Sequence, residues 1–157
     1  MPMDGLMLAF VAKELAGELI GARVDKIMQP GRDSIVIALR NNAKNYRLNI
    51  SANASYARLH LSEEKSENPA EPPMMCMLLR KHLLGARLKN LYQYDFDRII
   101  HIVFEGMNEL GDIVDKKIIV EIMGKHSNII LLNENDRIID SIFHVNHEMS
   151  RVRLVQP

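Results

Sequence analysis

The chain has 157 residues, long enough for one domain with a real core, and 47% are hydrophobic against 25% charged, the balance of a globular protein. Twenty Lys and Arg are matched by 20 Asp and Glu, so no global field draws in nucleic acid, and any such contact must come from local clusters. The single cysteine, Cys76, excludes an intrachain disulfide and suits a cytoplasmic setting; no signal-peptide pattern and no membrane-spanning apolar run is seen.

Asp4-Gly5 precedes a run to Ile20 in which Leu8, Ala12, Leu15 and Leu19 fall at helical spacing. Asp4 stands where an N-cap belongs, and Gly21 where a helix stops. Strand signals follow at 23–29, 34–40, 46–51 and 57–62, with turns expected at Pro30-Gly31 and Asn41-Asn42. Tyr46, Leu48 and Ile50 alternate with polar residues, as do Ala57, Leu59 and Leu61, so the first half reads as an antiparallel meander. The segment 62–73 is polar and proline-rich, hence a loop. Pro72-Pro73 leads into a second helix, 74–84, ended by Gly85. Its last turn carries Arg80-Lys81-His82, which complement the helix dipole, and Cys76 falls on its apolar side as a small core residue.

A second strand group comes next: 87–94, 99–104, 117–121, 129–132 and 137–145, with 105–116 expected as loop. No internal repeat stands out. The run 150–157 has no cap or stop, as expected of a chain that continues.

Few residues suggest chemistry. There is no His/Cys spacing for a metal and no Gly-rich phosphate loop, so no cofactor and no catalysis are expected. Two polar clusters stand out. Asp97-Arg98 lies between two strands: the guanidinium fork suits phosphates and base edges, and the carboxylate suits base amino groups. The same dipeptide also reads as an ion pair that tightens a turn. The other cluster, Glu121-Ile122-Met123-Gly124-Lys125-His126-Ser127-Asn128, forms a hairpin tip that gathers a cation, an imidazole, a hydroxyl and an amide beside a carboxylate. Strand alternation puts Glu121 and Met123 on one face and Ile122 on the other.

These pieces together resemble the N-terminal domain of the NFACT family, the RqcH group long labelled fibronectin-binding protein A. The resemblance rests on Met3-Asp4-Gly5-Leu6, Asp25-Lys26-Ile27-Met28-Gln29-Pro30, Ser55-Tyr56-Ala57-Arg58, His60-Leu61, Glu67-Asn68-Pro69 and Pro72-Pro73-Met74. It continues through the stretch from Cys76 to Leu83, Asp97-Arg98-Ile99, the stretch from Glu121 to Asn128, and Ser150-Arg151-Val152-Arg153. It runs in order along essentially the whole chain. Lys125 departs from the arginine expected there, keeping the charge but losing the fork.

The resemblance implies an α+β fold, mainly an antiparallel two-sheet β-sandwich with flanking helices, similar to the N-terminal domain of formamidopyrimidine-DNA glycosylases. It implies that residues 1–157 are one tRNA-binding domain whose partners are alanyl-tRNA, held at its anticodon region, and the large ribosomal subunit with a stalled peptidyl-tRNA. Family members direct untemplated alanine tailing of the stalled chain. Asp4, Asp97, Arg98, Glu121, Ile122 and Met123 carry the implied tRNA contact, with Lys125, His126, Ser127 and Asn128 from the adjoining tip. The family's helix-hairpin-helix, coiled-coil and C-terminal RNA-binding domains are absent from this sequence. Two rivals stand beside this reading: a fibronectin-binding adhesin, and a DNA glycosylase with Pro2 as nucleophile. The glycosylase reading lacks both the acidic residue expected at Met3 and zinc-binding cysteines.

Overall fold

The computed structural model describes residues 5–53, 57–63, 71–94, 98–123 and 126–143. Helix α1 spans Gly5–Leu19 and buries Leu8, Ala12, Leu15 and Leu19, the four positions whose spacing predicts it. Helix α2 spans Met74–Leu83 behind Pro73, whose φ of −61° suits the start of a helix, and buries Met75, Cys76, Leu79 and Leu83. Gly21 and Gly85 follow the two helices at φ +94° and +81°, the left-handed conformation that ends a helix without a side-chain clash. The expected cap, Asp4, lies outside the described residues.

The strands are β1 (Arg23–Gly31), β2 (Ser34–Asn41), β3 (Lys44–Ser51), β4 (Arg58–Leu61), β5 (Arg87–Gln93), β6 (Ile99–Met107), β7 (Ile113–Glu121), β8 (Asn128–Leu132) and β9 (Ile138–Ser141). Every pairing is antiparallel, so the α+β class holds. The two-sheet sandwich does not. The nine strands form one sheet in the order β4-β3-β2-β1-β5-β6-β7-β8-β9. Alternation reports which face of a strand is buried, but not whether two meanders stack or join edge to edge; here β1 and β5 join them.

Two boundaries also move. Pro30-Gly31 belongs to β1, and Asn42-Ala43 rather than Asn41-Asn42 makes the next turn, with φ of 50° and 65°. The stretch 105–116 is mostly strand, pairing Glu105 with Asp115, Gly106 with Val114 and Met107 with Ile113. Its polar composition hid the ladder. Lys89 on β5 meets both acids, at 3.6 Å from Glu105 and 3.0 Å from Asp115, so the charges lie on the sheet's solvated face.

The junction reveals an internal repeat. Leu19-Ile20-Gly21-Ala22-Arg23-Val24 ends α1 and opens β1; Leu83-Leu84-Gly85-Ala86-Arg87-Leu88 ends α2 and opens β5. Arg23 pairs with Arg87. Gly21 N donates to Leu88 O at 2.8 Å, and Gly85 N donates to Val24 O at 2.9 Å. Leu88 N donates to Ala22 O at 2.8 Å, and Val24 N to Ala86 O at 2.9 Å. Each bond has its mate in the other half. Both strands also shift register just after the junction, between Val24 and Lys26 and between Leu88 and Asn90. The domain is therefore two helix-plus-meander units joined about a local two-fold.

One face of the sheet is closed by both helices. Helix α1 packs on β5 and β4, and α2 on β1 and β9, so apolar side chains from both halves share one core. Cys76 Sγ and Arg80 Nε both point at Ile27 O, at 3.6 Å and 2.9 Å, and pin α2 to β1. Arg80 thus serves a specific carbonyl as well as the helix end. Cys76 is fully buried, as its place on the apolar side requires. On the opposite face, β6, β7 and β8 carry a second apolar cluster of Ile99, Ile119, Ile130 and Leu132, with Met123 against it.

Candidate nucleic-acid interface

The β6–β7 ladder brings the two polar clusters together. Ile99 pairs with Glu121 at the end of the ladder. One step beyond, Ile122 N donates to Arg98 O at 2.8 Å. Arg98 is exposed, so its guanidinium is free to leave the surface. The ladder thus joins residues 22 and 24 apart in sequence at one set of strand ends. Alternation holds through the segment: Ile122 enters the main core with Ile118 and Val120, while Met123 packs against the second cluster with Ile119. Glu121, of the same parity as Met123, is 2% exposed.

The tip that follows is tied down from within. Met123 N donates to Ser127 Oγ at 2.8 Å, and His126 N to Met123 O at 3.2 Å. Asn128 accepts at Oδ1 from Ile129 N and Phe143 N, at 2.9 and 3.0 Å, and donates from Nδ2 to Phe143 O at 2.8 Å. Ser127 and Asn128 are buried, whereas His126 is exposed. Among the described candidates, therefore, Arg98 and His126 offer accessible polar groups, Met123 is partly exposed, and Glu121, Ile122, Ser127 and Asn128 shape the ground beneath them. Asp4, Asp97 and Lys125 lie outside the described residues.

The same end of the sheet holds three rings outside both polar motifs. Tyr94 N donates to Ile99 O at 2.9 Å, and Tyr92 pairs with His101. The imidazole of His101 stacks with Tyr92 at a centroid distance of 5.1 Å and with Tyr94 at 5.3 Å, tilted by 22° and 24°. Burial lowers the His101 pKa, Lys117 lowers it further, and Asp136 opposes them weakly. The Tyr-x-Tyr spacing places both rings on one face. The histidine between them could be found only from the register of β5 against β6.

The described residues contain no group of three His, Cys, Asp or Glu side chains placed to hold a metal ion. A cavity of about 680 Å³ lies between α1 and the β3–β4 edge, lined by Glu14, Tyr46 and Arg58 among others, away from the β6–β7 end.

The described residues thus form an antiparallel α+β domain with an exposed arginine and two exposed tyrosine rings near one set of strand ends. The chain belongs to the NFACT family: residues 4–157 match the model for NFACT N-terminal and middle domains. It is 40% identical to the Rqc2 homolog RqcH of Bacillus subtilis over all of this chain and 28% of that protein. It is 31% identical to ribosome quality control complex subunit 2 of Saccharomyces cerevisiae, over 87% of this chain and 12% of that protein. Among solved structures, the N-terminal part of the fibronectin/fibrinogen-binding protein of Streptococcus suis aligns with a TM-score of 0.90 at 38% identity, over 99% of this chain and 58% of that one. The N-terminal domain of fibronectin-binding protein PavA of Streptococcus pneumoniae aligns with a TM-score of 0.88 at 40% identity, over 91% of this chain and 54% of that one. The chain thus spans under a third of the length of the RqcH relatives it matches.

Proposed function

We propose that this domain is the tRNA-contacting module of a ribosome quality control factor. It holds the anticodon region of alanyl-tRNA on the large ribosomal subunit while untemplated alanines are added to a stalled chain. It works in the cytoplasm as a binding module, not a catalyst, and most of the grip on the subunit lies in the rest of the protein. The observation that carries this reading is the Ile122 N to Arg98 O bond: it joins the Asp97-Arg98 and Glu121–Met123 motifs at one sheet end in a chain of this family. In this reading Arg98 supplies planar donors to a phosphate or base edge, and Asp97 accepts from a base or orients that arginine. Glu121, Ile122, Ser127 and Asn128 hold the contact surface, and Asp4, Met123, Lys125 and His126 complete it.

The test uses the full-length protein carrying Arg98→Ala. Purified on large subunits, it should remain ribosome-attached while its bound tRNA falls and alanine tails on a stalled reporter disappear. Normal tailing by this variant would overturn the assignment.

The names of the solved neighbours support a second reading, fibronectin binding. Direct titration of the domain with purified fibronectin tests it; this reading predicts saturable binding that Arg98→Ala leaves intact.

A further inference from the structure

We propose that Tyr92, His101 and Tyr94 form a stacking platform that receives an unpaired RNA base on the exposed ring of Tyr94, at the strand end that also carries Arg98. The inference rests on the RNA-binding reading above and adds residues to it that neither motif contains.

The geometry is that of a prebuilt stack. Three rings from two adjacent strands come together: each tyrosine lies with its centroid 5.1 or 5.3 Å from that of His101 and its plane within 24° of the imidazole. The tyrosine hydroxyl of Tyr92 lies 3.4 Å from His101 Nδ1, which helps to set the tilt of the inner pair. On the same face of the neighbouring strands, Ile99, Ile119 and Ile130 are at most 4% exposed. The tyrosines depart from this: Tyr92 is 37% exposed and Tyr94 51%. Large ring area is thus left open beside a sealed apolar cluster. Rings standing on an antiparallel sheet are a general solution for unpaired bases, because every base has a π-face and stacking tolerates any sequence.

Charge strengthens the case. With 20 basic and 20 acidic residues the chain has no net attraction for phosphates. Lys117, the β7 cation that acts on His101, is engaged with Asp136 at 3.0 Å, and Lys89 with Asp115. Affinity for RNA must then draw on interactions other than counterion release, and stacking is one that salt barely weakens. A neutral imidazole between the tyrosines suits this, since it neither repels Arg98 nor costs a buried charge. Tyr94 stands opposite Ile99, the residue after Arg98. One RNA strand can therefore lay a base on the Tyr94 ring while a neighbouring nucleotide meets Arg98 at the same strand end.

The test measures binding of the intact protein to a short RNA stem-loop with an unpaired loop, by fluorescence anisotropy across a salt series. Tyr94→Ala should weaken binding about five-fold to a hundred-fold with an unchanged salt slope, because a stack and no ion pair is lost. Arg98→Ala should weaken binding and also shallow the slope by about one counterion. Tyr94→Phe should bind like the parent, and Tyr94→Leu like the alanine variant, because an apolar side chain of fair size lacks the π-face. Melting curves identify any variant that fails to fold, and the Phe and Leu pair then decides between ring and bulk. If the parent binds and Arg98→Ala weakens it while Tyr94→Ala and Tyr94→Leu do not, the platform is refuted and the RNA reading stands. If the parent does not bind the stem-loop at all, both fall together.

Discussion

Arg98 and Asn128 stand near each other in the fold and do opposite work. Arg98 contributes an exposed side chain at a strand end, so Arg98→Ala should change folding stability by less than about 0.5 kcal/mol while costing RNA affinity on the order of 1–3 kcal/mol. Asn128 is buried and makes three hydrogen bonds that fasten Phe143 and Ile129 to the sheet. Its truncation strands buried backbone groups, so Asn128→Ala should cost about 1–3 kcal/mol in urea unfolding. A variant of Asn128 that folds at parental stability yet fails to bind RNA would show direct contact instead. Cys76 belongs with the buried group. It sits between α2 and β1, and burial pushes its thiol up, with Arg80 pulling only partly the other way. A bulky thiol reagent should label the native protein far more slowly than the urea-unfolded chain.

Helix α2 meets the second meander through His82, and this contact gives the element a pH response. Lys116, only 8% exposed, has its Nζ 2.9 Å from His82 Nδ1, so the neutral ring accepts from the ammonium. Burial lowers the His82 pKa below its ordinary 6.5; Lys116 and Lys81 lower it further, against weaker opposition from Glu109 and Glu134. The folded state therefore binds this proton less readily than the unfolded chain. Stability from this group is complete above about pH 6.5, declines as the pH falls through that value, and levels off below the folded pKa. His101 acts in the same direction. Urea midpoints should fall between about pH 7 and about pH 5, and His82→Gln should reduce that fall. A variant whose pH profile matches the parent would remove His82 from the account.

The repeat about the β1–β5 junction makes the two halves mechanically alike. Gly21 and Gly85 occupy equivalent positions with positive φ, and nothing would crowd a Cβ at either: the nearest atoms, Asn41 Oδ1 and an Arg23 guanidinium nitrogen, are both 3.9 Å away. The penalty for Ala is thus in the backbone, about 1–2 kcal/mol at each position. Gly21→Ala and Gly85→Ala should lower the melting temperature by similar amounts, and each should do so in a single cooperative transition, because one core spans both halves. Two separate transitions would mean that the halves fold independently. The repeat extends to the strand ends: Ala52 N donates to Asp33 O at 2.8 Å, as Ile122 N does to Arg98 O. The first half, however, carries a hydrogen bond from Asn53 to Asp33 at 3.0 Å where the second carries its arginine. The scaffold is duplicated and the candidate site is not.

Local periodicity was enough to locate both helices, most strands, the buried cysteine and the two polar motifs, because burial of an amphipathic face leaves its period in the residues. The opposite faces of Glu121 and Ile122 followed from the pleat alone. The family could be read from motifs in order along the chain. Long-range pairing had no such trace. Whether two meanders stack or join depends on a junction between residues 64 apart, Arg23 and Arg87, and the polar ladder at 105–116 looked like loop because its charges face water. The same is true of the site. Arg98 meets Ile122, and His101 slots between two tyrosines, through strand register, which is set by the sum of contacts across a sheet and not by any one segment.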